Sequence, residues 1–141
     1  MTTRAKAVEE ARSWLGTPYH HHARVKGVGV DCGQLLIGVY GAIGLFDPRT
    51  VEYAHDWHLH HSEELFIGHV KSFGAHEIQT PPQPGDIAVY KFGRCFSHGA
   101  IVIGDGLVVH SYIGLGAVLG HVNDHPLNDR EAKYFAFDWK E

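Results

Sequence analysis

Apolar positions recur at helical spacing in three stretches before residue 74 and alternate at strand spacing after residue 85, and this change of period predicts the architecture. From Thr3 to Leu15, Ala7, Val8, Ala11, Trp14 and Leu15 fall on one side, and Arg4, Lys6, Glu9, Glu10 and Arg12 fall mostly on the other. This is an amphipathic helix stopped by Gly16. A second helix starts at Cys32, with Leu35, Leu36, Val39, Tyr40 and Ile43 at helical spacing. Asp31 stands at the N-cap position, and Gln34 three residues on can close a capping box. Gly33, Gly38, Gly41 and Gly44 punctuate this helix. An interior glycine costs about 0.5 to 1 kcal/mol relative to alanine, so the spacing predicts close approach of another backbone, with Gly44 ending the helix. The third helix runs from Ser62, its candidate cap, to Phe73, with Leu65, Phe66, His69, Val70 and Phe73 on one side.

Between the first two helices, Thr17-Pro18-Tyr19 starts an extended segment, because proline biases its predecessor away from helical backbone. Gly27 and Gly29 keep the chain irregular up to Asp31. Pro81-Pro82-Gln83-Pro84-Gly85 ends helical structure. Five short segments follow, Asp86 to Lys91, Ser97 to Ile103, Leu107 to Tyr112, Ala117 to Val122 and Tyr134 to Trp139, all rich in Val, Ile, Tyr and Phe. They read as an antiparallel meander. Helices first and strands afterwards is the α+β pattern, here N-terminal helices on one side of a sheet of five to six strands.

Composition narrows the function. With 141 residues, 44% hydrophobic and 20% charged, residues 1–141 suit one domain with one core. Sixteen acidic against twelve basic residues leave a charge of -4 without a Lys/Arg-rich run, which argues against nucleic-acid binding. Met1 to Arg12 has no apolar signal core, and no run is long enough to cross a bilayer, so no signal peptide and no membrane insertion are expected. Thirteen histidines stand out. His20, His21 and His22 are consecutive, and His55, His58, His60 and His61 cluster with Asp56. No recognised metal-ligand spacing joins them, so neither a metal nor another cofactor is expected.

Candidate chemistry centres on Cys32. A thiol in the first turn of a helix sits among unpaired N–H groups at the positive end of the dipole, which favours the thiolate. A small buried hydrophobe at the start of a core helix would look the same. A cysteine nucleophile needs a base, and the base needs a group that orients it. His98 and His110 lie on neighbouring predicted strands. A three-residue loop Gly104-Asp105-Gly106 would pair Ile103 with Leu107 and His98 with Tyr112, leaving His110 the diagonal neighbour of His98 on one face. A two-residue Asp-Gly turn would shift the register by one and put the two histidines on opposite faces. The chemistry therefore predicts the three-residue loop. Cys95, expected in a loop from Gly93 to Phe96 without a helix terminus, is the weaker nucleophile.

Four fragments in order resemble the NlpC/p60 family of papain-like cysteine peptidases. These are Leu15-Gly16-Thr17-Pro18-Tyr19, Asp31-Cys32-Gly33, Gln83-Pro84-Gly85-Asp86-Ile87, and His98 through Val109-His110-Ser111. The resemblance implies a peptidoglycan stem-peptide endopeptidase with a Cys-His-His triad, acting on a D-γ-glutamyl-diamino acid type of bond. It makes Cys32 the nucleophile, His98 the general base and His110 the orienting group. Tyr19 would border the substrate site and help to position the oxyanion, with backbone N–H groups near Asp31, Cys32 and Gly33. Gly33 replaces the usual serine of the family motif, a position that bears on subsite preference. The segment His20 to Gly27 resembles the phage tail-associated branch, which implies delivery on a virion or prophage tail, tail-tip proteins as partners, and a cytoplasmic chain before assembly. The alternatives are a non-catalytic tail-tip structural protein, a histidine-rich metal-binding module, and a related cysteine amidase or acyltransferase, the last because substrate choice lies in pocket shape rather than in the triad.

Overall fold

The computed structural model describes residues 3–48 and 63–140. Helix α1 (Arg4–Ser13) begins where the Thr3 hydroxyl accepts the N–H of Lys6, and it buries Ala7 and Ala11. Helix α2 (Cys32–Ala42) follows a two-stranded hairpin, β1 (Arg24–Val25) and β2 (Gly29–Val30), in the segment expected to be irregular. Asp31 caps α2 as expected, its Oδ1 accepting the N–H of Gln34 at 2.8 Å. The reciprocal half of the capping box is absent, because Gln34 Oε1 accepts instead from Arg24 Nη1 at 3.1 Å. Gly44, at φ +89°, ends the helix. Leu45 N–H donates to Tyr40 O and Gly44 N–H to Gly41 O, which satisfies the last carbonyls.

The interior glycines of α2 have a different cause from the one expected. A Cβ at Gly38 would lie 2.6 Å from the Trp14 ring, and one at Gly41 would lie 3.0 Å from Pro48. Both clearances admit rings of side chains, not a second backbone. Helix α3 (Glu63–Ser72) buries Phe66, Ile67 and Val70, with Phe73 just beyond it. Its expected cap, Ser62, lies outside the described residues, as do His55, His58, His60 and His61.

The sheet has six antiparallel strands in the order β3 (His76–Ile78), β8 (Ala132–Ala136), β4 (Ile87–Phe92), β5 (Cys95–Gly104), β6 (Leu107–Tyr112) and β7 (Gly116–His121). Four strands, β4 to β7, form the meander that the alternation predicted. The fifth does not extend it. Strand β8 crosses back to pair with β4, and β3 pairs with β8 beyond it. The connection from β7 lays Leu127 over the second face of the sheet, in a buried cluster with Ala88, Tyr90, Ala100, Val102 and Val108. The other face, with Val89, Ile101, Val109 and Phe135, packs against the helices in the main core. Cys95 is the first residue of β5, opposite Phe92, and not in a loop. Among the described residues no helix is long and apolar enough to cross a membrane.

The β5–β6 hairpin reaches the expected register by an unexpected route. Its turn has two residues: Asp105 and Gly106 have φ of 57° and 80°, and Gly104 pairs with Leu107. Positive φ at both central positions suits the right-handed twist of the flanking strands. Alone this turn would put His98 and His110 on opposite faces. A β-bulge at Ile103 supplies the missing residue and restores the pairs Val102–Val108 and Ile101–Val109. His98 and His110 therefore share a face.

Candidate active site

Asp31 fixes the entry to α2 with both carboxylate oxygens. Besides Oδ1 on Gln34 N–H, Oδ2 accepts the N–H of His22 at 2.8 Å. This ties the incoming loop to the first turn and presents Cys32 at the rim of a pocket of about 510 Å³. Tyr19, Cys32, Ser97, His98 and Ser111 line the pocket, with Phe92, Tyr112 and Ile113 as an apolar and aromatic wall. The Cys32 thiol points at Ser97 O, 3.8 Å away. Gly33 is buried in the first turn, its N–H directed at the sulfur.

Ser111 is a contributor that the sequence marked only as the neighbour of His110. Its buried hydroxyl donates to Val30 O at 2.7 Å, tying β6 to the residue before Asp31. The helix carrying the thiol is thus bolted to the strand carrying His110. Phe92, Tyr112 and Ile113 carried no chemical signal in the sequence; only the closure of the sheet gathers them.

The two imidazoles meet directly. His98 Nε2 and His110 Nδ1 are 2.8 Å apart, with the rings nearly perpendicular at 82°. His98 is 7% exposed and His110 only 1%. One of the two facing nitrogens must carry the proton and the other accept it. Phe92 and Tyr112 enclose the His98 ring with centroids at 4.9 and 5.8 Å, so its plane is fixed by packing as well as by the hydrogen bond. Since Nε2 is committed to His110, Nδ1 is the His98 nitrogen able to take up a further proton.

The electrostatics differ from the expected thiolate. Burial pushes the Cys32 thiol up to about 12, and the Asp31 carboxylate adds to the rise. Backbone N–H groups of Gly99, Gly33 and Cys32 pull it the other way but do not outweigh burial. The helix start does act on the sulfur, but desolvation of a charged sulfur is the larger effect. Burial lowers His98 to about 3, with the neighbouring His110 and Arg130 lowering it further, and burial lowers His110 to about 4. At neutral pH the Cys32 thiol and the paired His98 and His110 imidazoles are therefore uncharged. Burial, then Cys32 and Asp31, raise Tyr19 to about 12, so its hydroxyl stays a hydrogen-bond donor at neutral pH.

This state predicts how the thiol labels. Alkylation of Cys32 by iodoacetamide, read separately from Cys95 by peptide mass, is expected to rise about tenfold per pH unit from pH 6 to 9, as thiolate forms. A flat, fast rate below pH 6 would instead mark a resting thiolate–imidazolium pair.

No family model and no curated protein sequence matches the chain. Solved structures do. The NlpC/p60 domain of the peptidoglycan hydrolase SagA is 21% identical, with 94% of this chain and 97% of that one covered and a TM-score of 0.65. NlpC1 from Trichomonas vaginalis is 15% identical at a TM-score of 0.68, covering 98% of this chain but 45% of its own. RipD from Mycobacterium tuberculosis, described as a non-catalytic NlpC/p60 domain protein adapted to peptidoglycan binding, is 13% identical over 96% and 98% of the two chains at a TM-score of 0.60. The chain spans less than half of the Trichomonas protein and nearly all of the other two. An α+β chain with three described helices and a six-stranded antiparallel sheet, aligned end to end with these domains, has the NlpC/p60 fold.

Proposed function

We propose that the protein is a cysteine peptidase of bacterial peptidoglycan, with Cys32 as nucleophile, His98 as general base and acid, and His110 as the residue that positions His98. The observation that carries this reading is the 2.8 Å contact of His98 Nε2 with His110 Nδ1 in the pocket that Cys32 lines. For His98 Nδ1 to accept the thiol proton, Nε2 must carry its own proton and donate it to His110 Nδ1. His110 then keeps its proton on Nε2.

The Cys32 sulfur attacks the peptide carbonyl carbon as its proton passes to His98 Nδ1, so charge develops only as the tetrahedral intermediate forms, with the imidazolium on His98 balancing the oxyanion. The oxyanion is met by N–H groups at the start of α2 and by the Tyr19 hydroxyl. Collapse breaks the C–N bond, and His98 returns the proton to the leaving amine. Water, deprotonated by His98, then hydrolyses the thioester and regenerates the thiol. The bond we assign is of the D-γ-glutamyl-diamino acid type. The setting is a phage or prophage tail acting at the cell wall, on the resemblance of the segment His20 to Gly27.

The test is digestion of purified peptidoglycan by the wild type beside Cys32→Ala, with the released fragments identified by mass. Cleavage by the wild type alone is expected, and the fragment masses name the bond. The raised Cys32 thiol and the likeness to RipD favour a second reading, peptidoglycan binding without turnover. Equal retention of both proteins on peptidoglycan with no fragments released would select it.

A further inference from the structure

We infer that Gly120 is a positioning residue, whose missing side chain is the space in which the His110 imidazole takes up the orientation that serves His98. The inference rests on the catalytic reading given above and adds a residue from a different strand. Gly120 lies on β7 opposite Val108, one diagonal step from His110, which pairs with Val118. A Cβ at position 120 would stand 2.7 Å from His110 Nε2 and 3.1 Å from Cδ2. Real Cβ atoms do not approach a ring atom so closely, so any side chain there must displace the imidazole or the strand.

The backbone does not ask for glycine here. Gly120 is not among the positive-φ glycines of the chain, so an L-residue meets no conformational penalty. Glycine inside a strand is otherwise unfavourable, and where it occurs it marks a bulge, a bend or a close approach. Here the approach is that of His110. The ring cannot easily retreat. Its Nδ1 is held by His98, the residue is 1% exposed, and Leu127 Cδ1 lies 3.4 Å from the same would-be Cβ. A methyl group at 120 thus bears on the far side of the ring from the hydrogen bond to His98. It also bears on Nε2, the nitrogen that holds the His110 proton in the proposed tautomer.

The experiment compares Gly120→Ala, His110→Asn and the double variant by hydrolysis kinetics, and compares wild type with Gly120→Ala by ¹⁵N imidazole NMR of the folded protein. Asparagine is shorter than histidine, so it leaves the space beside position 120 open while keeping a polar group toward His98. Gly120→Ala is expected to shift the ring-nitrogen resonances of both His98 and His110. It should also lower kcat about 10- to 100-fold with KM within about twofold of wild type, the scale of a misplaced catalytic group. In the His110→Asn background the same substitution should cost less than about threefold. Unchanged resonances overturn the inference. So does an equal loss in both backgrounds, which would be a general effect on β7. If the wild type proves inert on peptidoglycan, it is the peptidase reading that fails, and the NMR comparison still decides whether position 120 sets the ring.

Discussion

Replacement of His98 by alanine is expected to lower peptidoglycan hydrolysis by about 10³- to 10⁴-fold, the full contribution of a general base to a thiol that is neutral at rest. The raised Cys32 thiol makes the dependence steep, because a neutral thiol must hand its proton to a base as it attacks. His110→Ala should cost less, because His98 keeps its nitrogen and its aromatic enclosure and loses only the partner on Nε2. The double variant should be no worse than His98→Ala alone, as holds for residues that act as one unit. A urea titration across pH separates this from misfolding. Both histidines have lowered folded values, about 3 and about 4 against 6.5 in the unfolded chain. Below pH 6.5 the unfolded chain thus binds protons that the folded chain refuses, and stability falls with falling pH at up to about 1.4 kcal/mol per unit for each histidine. His98→Ala should lessen that slope between pH 6.5 and 4. A variant with the wild-type slope and wild-type activity would remove His98 from both roles.

Trp14→Ala is expected to destabilise the fold by about 3 to 5 kcal/mol, the usual range for truncating a buried tryptophan. Trp14 is 5% exposed, its indole N–H donates to Glu10 Oε2 at 3.1 Å, and its ring fills the clearance at Gly38 that joins α1 to α2. The companion substitution Gly38→Ala changes sign with background. With the ring present, a Cβ only 2.6 Å away should cost about 1 to 3 kcal/mol by overpacking. With the ring gone, the helix should gain about 0.5 to 1 kcal/mol, because alanine is the better helix former. Urea unfolding of the four proteins measures this cycle. Additive effects would mean that Gly38 is not there for Trp14.

The local signals along the chain were sufficient for the elements whose cause is local. Apolar spacing and the Asp31 cap located α2 and put Cys32 at its first residue, because a cap and a periodic face depend only on neighbours a few residues away. Alternation found the strands of the meander, and the requirement that two imidazoles meet predicted the shared face of His98 and His110. Tertiary structure decided what depends on distant partners. It set the return of β8 to β4, the bulge at Ile103 that corrects a two-residue turn, the Trp14 ring behind Gly38, and the rotation of Gln34 away from its capping box to Arg24. It also decided the charge of the site. The helix start favours thiolate, a local effect visible in Asp31-Cys32-Gly33. Burial, to which β5 contributes at Ser97 from more than sixty positions away, favours the thiol together with the adjacent Asp31 carboxylate, and in the folded pocket burial wins.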